Sequence, residues 1–298
     1  MGDHVADHEY RSRSRSPRTS VGALRPIGEP GHHQGVTVMS DHIDELLKFP
    51  NAHPYKKWWG THWRLVELAD LEIPIPSDRL HPGIDQELAW LMATLDDPAL
   101  GTEDGRPRRH ASMEGNAVYA LSRLGFAQLP STRRLAEALI GWQWPDGGWN
   151  CDRHRTARRS SFHESVTPAL GLATFARHTG DDAARAAAER TAELLLQHRL
   201  FRSLRTGAPI HPSWTRLHYP PYWHYDVLQG LRLLYALDRL DDPRASEALD
   251  VLARASRRDG TFAVTQWATR EQPAVLDRAA YRQVLNRRAQ EILEASGR

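Results

Sequence analysis

The sequence predicts an all-α fold, and three observations carry that prediction. Apolar residues recur at helical spacing in "WRLVELADL", "AVYALSRLGF", "RRLAEALIGW", "AERTAELLLQH" and "VLQGLRLLYALDRL". No segment sustains the strict alternation of a half-buried strand. Clusters of Pro, Gly and Asp, such as "EIPIPSD", "LDDP", "HTGDD" and "LDDPRA", separate the periodic segments and act as helix stops. With 298 residues, 40% of them hydrophobic, the chain can bury a substantial core as one large domain.

Taken in order, residues 1–38 come first, with "YRSRSRSPRTS" and "GEPGHHQG". They lack hydrophobic periodicity, are rich in Arg, Ser, Gly and Pro, and read as a disordered basic, Ser-rich tail. Met39 precedes the first amphipathic segment and is an alternative start. Residues 39–298 then form the single helical domain. Aligning Ala69, Leu121, Leu170 and Leu231 superposes four apolar helices, spaced 52, 49 and 61 residues apart by subtraction. A second helix follows each. The ends of two of these second helices correspond as well, Asp146-Gly147 in "WQWPDGGW" matching Asp259-Gly260 in "ARASRRDGTF". Each repeat is therefore an αα-hairpin that buries its apolar face by stacking on its neighbours.

Composition excludes several function classes. Lys plus Arg is 39 against 37 for Asp plus Glu, and the resulting +2 gives no field for nucleic acid. One cysteine, Cys151, rules out an internal disulfide framework. No apolar stretch is long enough for a membrane span or the core of a signal peptide, so the expected location is cytoplasmic. The 16 histidines and 10 tryptophans point instead to a chain that lines a cleft.

The segment "GWQWPDGGWNCD" concentrates the unusual residues. Its Gln143, Asp146, Gly147, Gly148 and Trp149 resemble the QW-type repeat of squalene and other triterpene cyclases, a repeat shared more loosely by protein prenyltransferase β subunits. Weaker repetition extends over roughly residues 55–262. The resemblance implies an (α/α) toroid of about four to six hairpins, inner helices ringed by outer ones. In such a repeat Gln143 caps backbone groups at the turn, the glycines supply positive φ, and Trp149 wedges between hairpins. Trp142 and Trp144 read as packing residues.

Seven residues before each aligned anchor, two helical turns and so on the same face, stand His62, Glu114, His163 and His224. In a toroid those helix starts converge on one mouth of the central cavity. Protein prenyltransferases hold zinc there with an Asp, a Cys and a His. The similar set here is Cys151, Asp152, His163 and His224, with Cys151, His163 and His224 as the metal ligands and a fourth position left for water or substrate. The spacing departs from the family, which has Asp-x-Cys where this chain has Cys151-Asp152; that leaves Asp152 as an acid–base or ligand-orienting candidate. Two metal-free readings stand beside it. Cys151 can be a small buried hydrophobe, or a nucleophile with His163 as its base, although no third group to orient the base is evident.

Two further stretches complete the expected site. "SSFHE" offers a capping box between Ser161 and Glu164, placing His163 in a first helical turn, whereas Pro168 after Thr167 suits a later start. In "DRHRTARR", Arg153, Arg155 and Arg158 can contact an anionic group, against the alternative of a solvated loop. "LHYPPYWHYD" gathers Tyr219, Tyr222, Trp223, His224, Tyr225 and Asp226, a density that suits a binding wall with an acid–base group. Catalytic candidates are thus Glu114, Asp152, Glu164, Tyr225 and Asp226.

Class II cyclases protonate their substrate with Asp-x-Asp-Asp, which "DRLDD" does not match, and the chain is about half the length of a two-domain cyclase. Polyene cyclisation is disfavoured. What the resemblance implies is a single-toroid transferase, lyase or hydrolase, with zinc and no nucleotide cofactor, acting on an isoprenoid or other partly apolar anionic small molecule. The alternative is a non-catalytic toroid that binds a lipid or a protein partner.

Overall fold

The computed structural model describes residues 41–95, 101–265, 267 and 278–298; the expected tail at 1–38 lies outside them. The described chain is mostly helical. Residues 41–46 form α1, followed by α2 (Thr61–Leu71), α3 (Ser77–Thr94), α4 (Ala111–Arg123), α5 (Pro130–Trp142), α6 (Phe162–Thr179), α7 (Asp182–Gln197), α8 (Val227–Tyr235), α9 (Ser246–Arg254) and α10 (Arg278–Ala295). A short antiparallel hairpin, β1 (Thr102–Glu103) and β2 (Arg106–Pro107), sits between α3 and α4. No helix among the described residues is long and apolar enough to cross a membrane.

The anchors Ala69, Leu121, Leu170 and Leu231 fall in α2, α4, α6 and α8, and all four are buried. Each of these helices packs on the one that follows it, α2 on α3, α4 on α5, α6 on α7 and α8 on α9. They also pack on each other in sequence, α2 on α4, α4 on α6, α6 on α8, with α10 next against α8. Arg287 of α10 also donates to the carbonyl of Leu71 at the end of α2 (3.0 Å).

The tightest pair is α4 with α6, and glycine explains it. A Cβ on Gly115 would stand 2.4 Å from the backbone nitrogen of Pro168, and one on Gly171 would stand 2.5 Å from the carbonyl oxygen of Gly115. Two hydrogens in place of two side chains let the backbones touch. Pro168 lies inside α6, whose N-cap is Ser161, the hydroxyl accepting from Glu164 N–H (3.4 Å). The helix therefore starts at the Ser161 cap and runs through the proline, while Ser161 N–H donates to Trp149 O (2.8 Å) and the reciprocal half of the expected capping box does not form.

The turn after α5 is built as its residue types suggest. Gln143 Nε2 donates to the carbonyls of Gly147 and Ala187 (both 2.9 Å), tying the end of α5 to α7. Gly147 has φ 95°, and its counterpart Gly260 has φ 76°. Trp149 is buried, its indole N–H donating to Leu139 O (2.9 Å) and its backbone N–H to Ser165 Oγ (2.8 Å), so it joins α5 to α6.

Inside the core lies a polar network centred on Asp70 of α2. Its Oδ1 accepts from Tyr119 Oη (2.6 Å) and Arg232 Nη2 (2.8 Å), and its Oδ2 from Tyr219 Oη (2.9 Å). Arg288 of α10 stands 3.7 Å away. Burial alone would raise this carboxyl, but the two guanidiniums and two hydroxyls outweigh it and hold it down at about 2. Above it, Val66, Asn116, Val166 and Leu170 help to enclose a cavity of about 20 Å³.

Candidate functional site

Three pieces of chain that are distant in sequence meet at the N-terminal ends of α4 and α6. Arg108 and Asn150 form a parallel bridge, and Arg109 N–H donates to Asn150 O (3.3 Å), which sets His110 beside Cys151. Ser161 N–H donates to Trp149 O (2.8 Å) and brings in the first turn of α6. The outcome is a trio, His110, Cys151 and Glu164, whose ligand atoms all lie within 4.8 Å of one another. Cys151 Sγ–H points to Glu164 Oε1 at 3.6 Å, and His110 Nδ1 stands 3.8 Å from the same oxygen. The other oxygen, Oε2, accepts from Ser112 N–H (3.1 Å), which fixes the carboxylate against the start of α4.

Electrostatics follow from that packing. Burial pushes the Cys151 thiol well up, and the Glu164 charge adds to it. The Glu164 carboxylate in turn raises the His110 imidazole. One turn into α4, Glu114 is buried with Oε2 lacking a hydrogen-bond partner among the described residues. Burial raises its carboxyl to about 7, with the charge of Glu164 contributing.

A phenol and a histidine–carboxylate pair complete the surroundings. Burial raises the Tyr55 hydroxyl, helped by the charges of Glu164, Glu114, Cys151 and Glu87. Its ring lies 5.1 Å from that of His62, whose Nδ1 is 2.7 Å from Glu87 Oε1. Both His62 and Glu87 are fully enclosed, and His62 Nε2 has no partner among the described residues.

Of the residues expected in the metal set, the structure brings only Cys151 into the trio. His163 is in the first turn of α6, but its Nδ1 accepts from Tyr225 N–H (2.9 Å). His224 lies just before α8, sandwiched between Trp223 (4.2 Å) and Trp267 (4.5 Å), and burial lowers it to about 4. The two imidazoles approach each other to 5.9 Å, and neither belongs to the trio with Cys151.

The remaining candidates divide in the same way. Glu164 and Glu114 lie at the site. Tyr225 is buried with its hydroxyl donating to Leu200 O (2.6 Å). Asp226 caps α8 through Gln229 N–H (3.2 Å) and holds His218 through its backbone N–H (2.8 Å). Asp152 accepts from His154 N–H (2.9 Å), an Asx turn in the loop after Cys151. Arg153, Arg155 and Arg158 are exposed, Arg155 pairing with Glu103 at 3.5 Å and Arg158 with Asp104. The arginine loop is thus braced on the β-hairpin.

His110 was not among the expected residues. It stands outside the register of the aligned anchors, and its one sequence signal is its place four residues before Glu114, just ahead of α4. Comparison with family models, with curated proteins and with solved structures returns no match.

The donor set fits zinc. A thiolate, an imidazole and a carboxylate are accepted ligands, and tetrahedral bonds of zinc-site length put sulfur and oxygen about 3.6 Å apart. Cys151 Sγ and Glu164 Oε1 stand at that spacing, 3.6 Å. Three protein ligands would leave a fourth position open.

Proposed function

We propose that the chain is a helical-ring enzyme of the terpenoid cyclase and protein prenyltransferase type, using zinc held by His110, Cys151 and Glu164 with Glu114 as its acid–base group. The observation that carries this reading is the meeting of the three ligand atoms within 4.8 Å beside a buried, unpartnered Glu114 oxygen. Zinc bound there would supply a Lewis acid and an acidified water. Ser112 N–H orients the Glu164 carboxylate, and Glu114, raised to about 7, can hold or release a proton near neutral pH. The Tyr55 ring, close enough to Glu114 and Glu164 to feel their charge, packs against that of His62 (5.1 Å).

The ring itself rests on the packing series from α2 through α4, α6 and α8 to α10, with Arg287 returning to Leu71. In this reading the substrate is an isoprenoid or other partly apolar anionic small molecule whose reactive head meets the N-terminal ends of α4 and α6.

Metal analysis of the full chain purified without chelator tests the reading. About one equivalent of zinc is expected, lost in Cys151→Ala and in Glu164→Gln and kept in His224→Ala. Stoichiometry near zero removes the metal. Loss of zinc in His224→Ala with retention in Glu164→Gln moves the site to the other histidines.

A further inference from the structure

Glu114 and Glu164 stand in the first turns of α4 and α6; Arg123 and Arg177 stand near the opposite ends of the same helices. The separations, nine and thirteen residues by subtraction, correspond to about 14 and about 20 Å along the two axes. Around those far ends lies a cavity of about 60 Å³, lined by Arg123, Arg177, His178, Arg232, Tyr235 and Arg288. Such a volume holds roughly four waters or one small oxyanion. Leu170 and Ile292 give it an apolar side.

Its charges do not cancel. Arg232 pairs with Asp70 (2.8 Å), Arg288 with Asp70 (3.7 Å), Glu72 and Glu291 (3.6 Å), and Arg123 with Glu72. Of the four guanidiniums lining the cavity, three share these three carboxylates, with Arg287 also on Glu72 (3.9 Å) and Glu291 (3.8 Å). The one left over is Arg177, exposed and without a carboxylate partner among the described residues. Arg288 Nε is buried and has no acceptor among the described residues.

Cations near helix C-termini often serve only to offset the helix dipole. That account covers Arg123, Arg177 and Arg232, which stand in last helical turns, but not Arg288, which stands in the middle of α10 with a buried Nε that has no acceptor among the described residues. Two guanidinium forks that line one cavity, Arg177 with no carboxylate and Arg288 with a spare N–H among the described residues, suit the paired oxygens of a phosphate.

The geometry points to a binding site for a small oxyanion in this cavity, a phosphate or phosphomonoester group held by Arg177 and Arg123 with Arg288 behind them. It is separate from the proposed zinc site and stands whether or not that site binds metal. Free phosphate and the head of a larger phosphomonoester share this chemistry, and the apolar side formed by Leu170 and Ile292 distinguishes them.

Calorimetric titration of the full chain with inorganic phosphate and, separately, with phenyl phosphate tests the proposal. Both are expected to bind, more weakly as ionic strength rises, with Arg177→Gln weakening each by about tenfold or more. Equal affinities assign the site to the free ion; tighter phenyl phosphate binding assigns it to a substituted phosphate. Because Arg123 also pairs with Glu72, its substitution would mix stability with binding, so the exposed Arg177 carries the test, with an unchanged melting temperature as its control. Cys151→Ala should bind phosphate as the parent does. Absence of binding by the parent, unchanged affinity in Arg177→Gln, or loss of binding in Cys151→Ala each overturns the proposal.

Discussion

Asp70 and Glu114 are both buried carboxylates, on the adjacent helices α2 and α4, and they are treated in opposite ways. Around Asp70 the fold supplies two guanidiniums and two phenols, so the charged form is stabilised and the carboxyl titrates at about 2. Around Glu114 it supplies a second carboxylate, Glu164, and leaves Oε2 without a partner among the described residues, so the carboxyl is raised to about 7. The lesson is that burial does not by itself mark a site. A carboxylate whose charge the fold satisfies holds helices together, whereas one left unsatisfied lowers stability and persists where its proton has a use.

The largest effect should come from breaking the satisfied member. Asp70→Asn keeps the shape of the side chain but leaves Arg232 buried without its counter-charge, a change that typically costs about 3 to 5 kcal/mol. The melting temperature of this variant should fall well below that of Glu114→Gln. If the two variants melt together, or Glu114→Gln is the weaker, the roles assigned to the two regions are reversed.

The same contrast should appear in the pH dependence of stability. Glu114 has a folded-state value near 7, above its ordinary 4.5, so its contribution is fully present below about pH 4.5 and is lost as pH rises to 7. Asp70 has a folded-state value near 2, below its ordinary 3.8, so its contribution is present above about pH 4 and is lost as pH falls to 2. Glu114→Gln should therefore gain about 1 to 3 kcal/mol over the parent at pH 8 and match it at pH 4. Denaturant midpoints at the two pH values decide it; a gain of the same size at both would show that packing and not ionisation is responsible.

How far these regions can be read from sequence depends on the range of the interactions that build them. Helix periodicity and the turn residues are local, so α2, α4, α6 and α8 and their buried anchors follow from the pattern, and His62, Glu114 and His163 do stand in first helical turns. The trio is not local. Its assembly depends on an isolated bridge between Arg108 and Asn150 and on single bonds such as Ser161 N–H to Trp149 O, none of which leaves an alternating pattern, so the sequence does not signal the place of His110. Asp70 looks like the polar face of an amphipathic helix until Arg232, 162 residues away, arrives beside it. Tyr225 and Asp226 were attractive by residue type, but Leu200 and the start of α8 take their polar atoms.

The smallest expected effect is at Asp152, next to the cysteine of the trio. Its Oδ1 accepts from His154 N–H (2.9 Å), and its own N–H donates to Asn150 Oδ1 (2.9 Å), so it shapes the loop that follows Cys151. Asparagine keeps an oxygen for the same turn, and Asp152→Asn should change stability by no more than about 0.5 kcal/mol. The negative charge of Asp152 adds slightly to the rise of the Cys151 thiol, so its removal makes the thiolate marginally easier to form. Zinc affinity in a competition titration should then change by less than the roughly tenfold loss typical when a residue supporting a metal ligand is removed. A tenfold loss or more, in a variant that melts like the parent, would make Asp152 a support for the metal ligands and extend the site along the loop toward the exposed arginines.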